Sequence, residues 1–392
     1  MDRFSGGASR QNDKPAGIKE IAKALDVSIG TVDRALHGRP GINALTRARV
    51  LKMAQTLGYR PNFAARQLKL NRKLNLSVHL PEEIASFFDS VREGIREAAG
   101  PFESTIEVQF RSYPRLGERD KELFEEALRE QTSGIILAPG HPSALKPYIR
   151  QAARKRIPVV CVATDAPGTE RLTSISSDPY TSGAMVAELL TRFVPAAGPV
   201  LLVTGDMSTH DHSEKVRGFK DFQVRMGSSR AAVHLVEAHD DPAEAHRRTH
   251  ECLSQHPRIR AVYVSTANSM PVIRALEETG RLAETSVITT DLFPALVPLI
   301  RSGKVLGTVY QRPRAQGRLA FDAMYKFLVE GTCPPGRHRL PPHIILRSNL
   351  ELFLEILPGD FEDAISPLEA PDPDTGKRRP ALRRKSSAAL EV

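Results

Sequence analysis

Gly17-Ile18-Lys19-Glu20-Ile21-Ala22-Lys23-Ala24-Leu25-Asp26-Val27-Ser28-Ile29-Gly30-Thr31-Val32-Asp33-Arg34-Ala35-Leu36 carries two short helical patterns on either side of a polar break. Apolar residues at 18, 21, 22 and 25 have the spacing of one buried helix face. Ser28 stands where an N-cap belongs, and the second helix follows from Ile29. Its Val32, Ala35 and Leu36 face inward, which leaves Ile29, Gly30, Thr31, Asp33 and Arg34 on the outside. Two such helices crossing at a tight turn form a helix-turn-helix, whose second helix lays its N-terminal residues against base edges in the major groove. A third helix is expected after His37-Gly38-Arg39-Pro40-Gly41, capped by Asn43, with Leu45, Val50, Leu51, Ala54 and Leu57 on its apolar side.

Charge follows the same boundary. From Gly17 to Lys73 there are twelve Lys or Arg against three Asp or Glu, a net +9 that equals the net charge of the whole chain. A positive patch confined to one small region is the footprint of phosphate binding. Its coincidence with the helix-turn-helix pattern distinguishes it from an ordinary solvated helix surface.

These motifs carry a resemblance. Ile18-Lys19-Glu20-Ile21-Ala22, Val27-Ser28, Thr31-Val32, Arg34-Ala35-Leu36, Thr46-Arg47 and Leu57-Gly58-Tyr59-Arg60-Pro61-Asn62 resemble the LacI/GalR family of bacterial transcription regulators. Ala64-Ala65-Arg66-Gln67-Leu68 is similar to that family's hinge helix. The resemblance implies DNA contacts by Ser28, Ile29, Gly30, Thr31, Asp33, Arg34 and Asn43, and by Asn62, Ala65 and Leu68 of the hinge, with Leu68 as an apolar wedge that kinks the minor groove. Ile29 offers only an apolar surface, as for a thymine methyl, and Gly30 offers no side chain. Arg34 is therefore the candidate for a bidentate contact to guanine. Asp33 stands where a small hydroxyl residue is common, and phosphates would repel it unless it pairs with Arg34 or a base donor.

Beyond the head, β-rich apolar runs alternate with amphipathic segments. Strands are expected at 76–80, 106–110, 134–138, 158–162, 200–204, 233–237, 261–265, 287–290 and 305–310. Helices between them are expected at 89–99, 119–130, 181–193, 214–226, 243–255 and 271–280. This alternation implies parallel sheets covered on both faces, with ligands outside the carboxyl ends of the strands. The fold class is α/β: an N-terminal all-α helix-turn-helix domain and hinge helix, then two doubly wound parallel-sheet lobes of the periplasmic binding protein type. Residues 1–16 read as a disordered extension, 17–61 as the helix-turn-helix domain and 62–73 as hinge helix and linker. The two-lobe core spans 74–357, with crossovers near 165–178, 305–312 and 335–345. A disordered, basic-ended tail fills 358–392.

The core resembles ribose-type periplasmic sugar-binding proteins. The resemblance places Phe87 and Phe88 against a sugar face, and Asp165, Asn268 and Asp291 on its hydroxyls. It puts Gln311 near the hinge strands and Lys215 where an arginine is usual. Read from the residues alone, Phe87 and Phe88 serve equally as core, and the three strand-end polar residues as caps or turns. Ala166 in place of arginine, and Lys215, point to another polyol or a modified sugar.

An enzyme reading lacks its motifs. There is no Gly-x-Gly-x-x-Gly after a strand and no phosphate loop, so no nucleotide cofactor is expected. His246 and His250, four apart between arginines, read as a solvated helix face. His210-Asp211-His212 reads as a loop able to touch a ligand, and no metal site is expected. No run of eighteen apolar residues suggests a membrane span. Met1 to Ala16 lacks the apolar stretch of a signal peptide, and three scattered cysteines suit a reducing compartment. The chain is thus expected in the bacterial cytoplasm, associated with the nucleoid. The expected function is a ligand-responsive repressor, a homodimer on palindromic double-stranded DNA with a sugar or polyol effector, and not an enzyme. The alternative is a transport-type sugar-binding protein without a DNA role, against which the basic head and the missing leader both argue.

Overall fold

The computed structural model describes residues 17–36, 40–57, 73–193, 198–226 and 232–357. The hinge positions Asn62, Ala65 and Leu68 and the 358–392 tail lie outside them.

The head is three helices, α1 (Ile18–Leu25), α2 (Ile29–Leu36) and α3 (Ala44–Thr56). Each boundary has a local cause. Glu20 reaches back to accept from the Gly17 N–H at 2.8 Å, and Asp26 ends α1 in the left-handed region at φ 53°. Ser28 Oγ accepts from the Thr31 N–H at 3.1 Å, and Asn43 Oδ1 from the Thr46 N–H at 2.7 Å. Both expected caps are therefore present. Ile21, Ala22, Val32, Ala35, Val50 and Ala54 form the small buried core. Leu45 and Leu51, expected on the apolar side of α3, are instead exposed, because Val50 and Ala54 define the face that meets α1 and α2.

The core is two six-stranded sheets. Lobe 1 contains β1 (Leu74–Pro81), β2 (Ile106–Tyr113), β3 (Gly134–Leu137), β4 (Val159–Val162), β5 (Thr173–Ser177) and β11 (His338–Leu340), in the order β2-β1-β3-β4-β5-β11. Lobe 2 contains β6 (Val200–Thr204), β7 (Val233–Glu237), β8 (Ala261–Val264), β9 (Ser286–Thr290), β10 (Gly307–Tyr310) and β12 (His343–Leu346), in the order β7-β6-β8-β9-β10-β12. All pairs are parallel except β10 with β12. The chain passes between lobes three times, after β5, after β10 and between β11 and β12.

Helices α4 (Ala85–Ala99), α5 (Asp120–Arg129), α6 (Pro142–Arg154) and α12 (Pro313–Tyr325) cover lobe 1. Helices α7 (Pro179–Phe193), α8 (His210–Arg225), α9 (Pro242–Gln255), α10 (Ser269–Glu278), α11 (Val297–Ser302) and α13 (Leu350–Ile356) cover lobe 2. In each lobe, the helix after the first strand packs against the helix delivered from the other lobe at a pair of glycines. A Cβ on Gly94 would lie 2.0 Å from the Arg314 carbonyl oxygen, and one on Gly317 2.1 Å from that of Val91. In lobe 2, Gly183 and Gly218 stand equally close to the carbonyl oxygens of Lys215 and Tyr180.

Among the described residues, no helix is long and apolar enough to cross a membrane. His210-Asp211-His212, expected as a loop, is the first turn of α8.

Candidate functional site

Two surfaces carry the chemistry. On the head, α2 shows Ser28, Ile29, Gly30 and Arg34 to solvent, with Thr31 and Asp33 half-buried beside them. Ser28 Oγ and Thr31 Oγ1 share a hydrogen bond of 2.8 Å, so both hydroxyls are held at the helix start. Arg34 Nε donates to the Gly30 carbonyl at 3.2 Å. The glycine leaves open the surface along which the guanidinium lies.

The second surface is the cleft, where the carboxyl ends of both sheets meet. Its central cavity is lined from lobe 1 by Ile84, Phe87, Phe88, Leu116, Ala163 and Thr164. Lobe 2 supplies Asp211, His212, Lys215, Thr266, Ala267, Asp291 and Gln311. Five of the seven residues expected at a ligand thus come together: Phe87, Phe88, Lys215, Asp291 and Gln311. The two phenyl rings meet edge to face with centroids 5.0 Å apart. Lys215, only 1% exposed, pairs with Asp211 at 2.6 Å and donates to the Ser265 carbonyl at 3.2 Å. The other carboxylate oxygen of Asp211 is buried and has no hydrogen-bond partner.

Gln311 holds Asp291 with its side-chain amide at 2.7 Å and its backbone N–H at 3.1 Å. Burial pushes the Asp291 carboxyl up to about 6, against the opposing pull of Lys215 and Gln311. Ile84, Ala163 and Asp291 line this cavity with φ of 57°, 68° and 65°. Left-handed backbone at non-glycine residues is costly, above all at a β-branched one, and such strain clusters at ligand clamps.

The remaining two expected ligand residues stand elsewhere. Asp165 lies two positions past Ala163, the strand-end residue that faces the cavity, and its carboxylate turns to Arg171, which donates through Nε and, at 2.8 Å, through a terminal nitrogen. Arg337 approaches the same carboxylate at 3.2 Å. Burial alone would raise the Asp165 pKa, but the Arg171 hydrogen bonds and the two charges outweigh it and hold the group below the usual carboxylate range. Asp165 lines a neighbouring cleft of about 390 Å³ with His210, Glu214, Arg217, Arg337 and Arg339. Asn268 precedes α10 and donates to the Asp240 carbonyl at 3.4 Å, while Thr266 and Ala267 take the cavity wall. The sequence gives no signal for Thr164 or Thr266, whereas Asp211 and His212 come from the His210-Asp211-His212 segment read as able to touch a ligand.

Direct bonds also cross the cleft. Arg115 meets Asp241 at 3.2 Å, and His141 meets Asp206 at 3.1 Å. Thr209 donates to the Gly140 carbonyl at 2.9 Å, and the Asp211 N–H donates to Thr164 Oγ1 at 3.2 Å. With the lobes in this arrangement the central cavity encloses about 40 Å³.

Both parts of the chain have counterparts among known proteins. Residues 17–62 match the bacterial regulatory proteins of the lacI family, and residues 78–332 match a periplasmic binding protein domain. The HTH-type transcriptional regulator AglR of Rhizobium meliloti is 26% identical over 373 residues, covering 92% of this chain and 99% of that protein. Catabolite control protein A of Priestia megaterium is 25% identical over 268 residues, covering 67% and 78%. Among solved structures, GanP, a glucose-galactose binding protein from Geobacillus stearothermophilus, superposes with a TM-score of 0.65 at 25% identity, over 71% of this chain and 99% of GanP. The chain thus carries a helix-turn-helix domain of the lacI family of bacterial regulatory proteins at its head, and its core belongs to the periplasmic binding protein domain family.

Proposed function

We propose that this regulator is a repressor that binds a palindromic operator as a homodimer and responds to a sugar or polyol-like effector in the inter-lobe cleft. The observation that carries the reading is the cleft itself: one lobe offers phenyl rings and the other offers buried acids, a lysine and an amide. Hydroxyls both donate and accept, so acids, amides and cations converging on one cleft satisfy several at once while rings pack on the apolar sugar face. In this reading Phe87, Phe88, Lys215, Asp291 and Gln311 touch the effector, joined by Asp211. Asp165 and Asn268 position strand ends instead. An effector held by residues of both walls favours the lobe arrangement that brings those walls together. Effector affinity then differs between lobe arrangements, which is the requirement for a switch.

On DNA, Ser28, Ile29, Gly30, Thr31, Asp33, Arg34 and Asn43 face the operator in this reading, with Asn62, Ala65 and Leu68 in the minor groove. The test starts from operators selected out of random duplex DNA. Arg34→Ala should weaken the selected site by about 1–3 kcal/mol and relax one base pair in each half-site. A sugar and polyol panel should change operator affinity for the wild type, and should raise the apparent stability of the core. Equal losses on selected and random DNA would make Arg34 a phosphate contact, and a panel without effect would remove the effector class.

A further inference from the structure

On the outer edge of lobe 2, away from the cleft, the topology joins three residues that are remote in sequence. His234 lies on the edge strand β7, Cys252 lies in the last turn of α9, and His256 follows α9 four residues later. The two imidazole nitrogens and the thiol sulfur lie within 4.8 Å of one another. The rings of His234 and His256 are stacked with centroids 3.8 Å apart. All three residues line one surface groove. We propose that His234, Cys252 and His256 form a transition-metal site, with zinc as the ion its donors suit best.

The donor set argues for that class of ion. Two imidazoles and a thiolate are borderline-to-soft ligands, which suit zinc and are poor partners for magnesium or calcium. Zinc bonds of about 2.0–2.1 Å to nitrogen and about 2.3 Å to sulfur place neighbouring ligand atoms roughly 3.3–3.6 Å apart. The three atoms therefore close in by about an ångström. One ring turns out of the stack, since two parallel rings cannot aim their lone pairs at one point. The Cys252 thiol loses its proton to solvent as the sulfur–metal bond forms. The fourth position opens to the groove and takes water.

The frame around the site is fixed. Arg281 donates to the carbonyl oxygens of Leu253, His256, Pro257 and Ile259, which ties down the end of α9 that carries two of the ligands. The cations that share the groove have partners: Arg247 pairs with Glu251 at 2.8 Å and Arg248 with Glu244 at 2.6 Å. Sequence spacing hides the site, because seventeen residues and a strand-to-helix crossover separate His234 from Cys252.

The test uses the full chain, stripped with a chelator and titrated with cobalt(II) and with zinc(II) in competition with a chromophoric chelator. The wild type should bind one equivalent, with a sulfur-to-cobalt charge-transfer band, and zinc should raise its apparent unfolding temperature. Cys252→Ser should lose the band and weaken zinc binding by about 100-fold or more, and His234→Gln should weaken it similarly while the thiol remains. Cys333→Ser should behave as wild type. Circular dichroism of the metal-free variants checks their fold, and His234→Gln decides the matter if Cys252→Ser is unfolded. No stoichiometric binding by the wild type, a band that survives Cys252→Ser, or zinc affinity unchanged in His234→Gln would each overturn the proposal.

Discussion

The two lobes of the core share one construction and differ in the wall each turns to the cleft. Both place a first strand second from the edge of a six-stranded sheet, and both seat the incoming helix on a glycine pair. Yet the lobe 1 wall is apolar apart from Thr164, while lobe 2 brings Asp211, His212, Lys215 and Asp291. Backbone packing fixes the architecture, and a few strand-end side chains fix the chemistry, so the lobes differ in chemistry while sharing a fold.

The sharpest way to break that comparison is to remove the one buried cation of the lobe 2 wall. Lys215 stands between Asp211 and Asp291, and losing one partner of a buried pair leaves an uncompensated charge. Lys215→Met should destabilise the core by about 3–5 kcal/mol in urea unfolding. Adding Asp211→Leu should recover much of the loss. No lobe 1 wall residue has a charge to lose, so Phe88→Leu should leave the pH dependence of unfolding unchanged.

Titration gives the next largest effect. Asp291 is raised to about 6, whereas the unfolded chain keeps it near the ordinary 3.8. The folded protein therefore binds this proton more tightly, and the stabilisation from protonation is present below pH 4 and lost as pH rises through 6. Two pKa units correspond to about 3 kcal/mol. Measured against Asp291→Asn, wild-type stability should fall by that amount between about pH 3 and 7. A flat difference would mean that Lys215 compensates Asp291 fully. Carboxyls held low, such as Asp165 and Asp206, act in the opposite direction in both proteins and cancel.

How much of this was legible depends on where the physics is local. The head could be read because caps and helix faces act within four residues, as at Ser28 and Asn43. Strands rich in Val, Ile and Leu could be read for the same reason. The β5 strand, Thr173-Ser174-Ile175-Ser176-Ser177, could not, since its burial comes from the sheet rather than from its own residues. Helix α6 has Pro142 at its start and Pro147 inside, which mask its periodicity. At the cleft, Phe87, Lys215, Asp291 and Gln311 were found through resemblance. Asp165 shows the limit: two residues' offset at a strand end sends a carboxylate to Arg171 instead of the cavity. Bonds across the cleft have no local signature at all.

Whether the lobes are truly alike in packing can be tested at the glycines. Gly94→Ala in lobe 1 and Gly218→Ala in lobe 2 each push a methyl to about 2.0 Å from a carbonyl oxygen, so the helices must part. Overpacking of this kind costs about 1–3 kcal/mol. Similar losses in calorimetry would uphold the shared construction. A tolerant lobe 1 beside an intolerant lobe 2 would show that only the charged wall demands a rigid backing.

The smallest expected effect concerns the contact between the lobes. Arg115 and Asp241 lie 3.2 Å apart, but both side chains are about one-third exposed, at 34% and 31%. Water and salt screen such a pair, and its contribution is about 0.2–1 kcal/mol. Since 1.4 kcal/mol is a factor of ten, Arg115→Ala should shift the balance between lobe arrangements by at most about fivefold. Energy transfer between dyes on the two lobes would read that shift. Wild type and mutant should converge in 1 M salt, where the screening length is about 3 Å. Thr209→Val removes a neutral bond to the Gly140 carbonyl, so its effect should not depend on salt. If Arg115→Ala instead moves the balance more than tenfold, the pair is coupled to the buried ionic wall behind it. The difference between the walls would then set how tightly the cleft closes as well as what it binds.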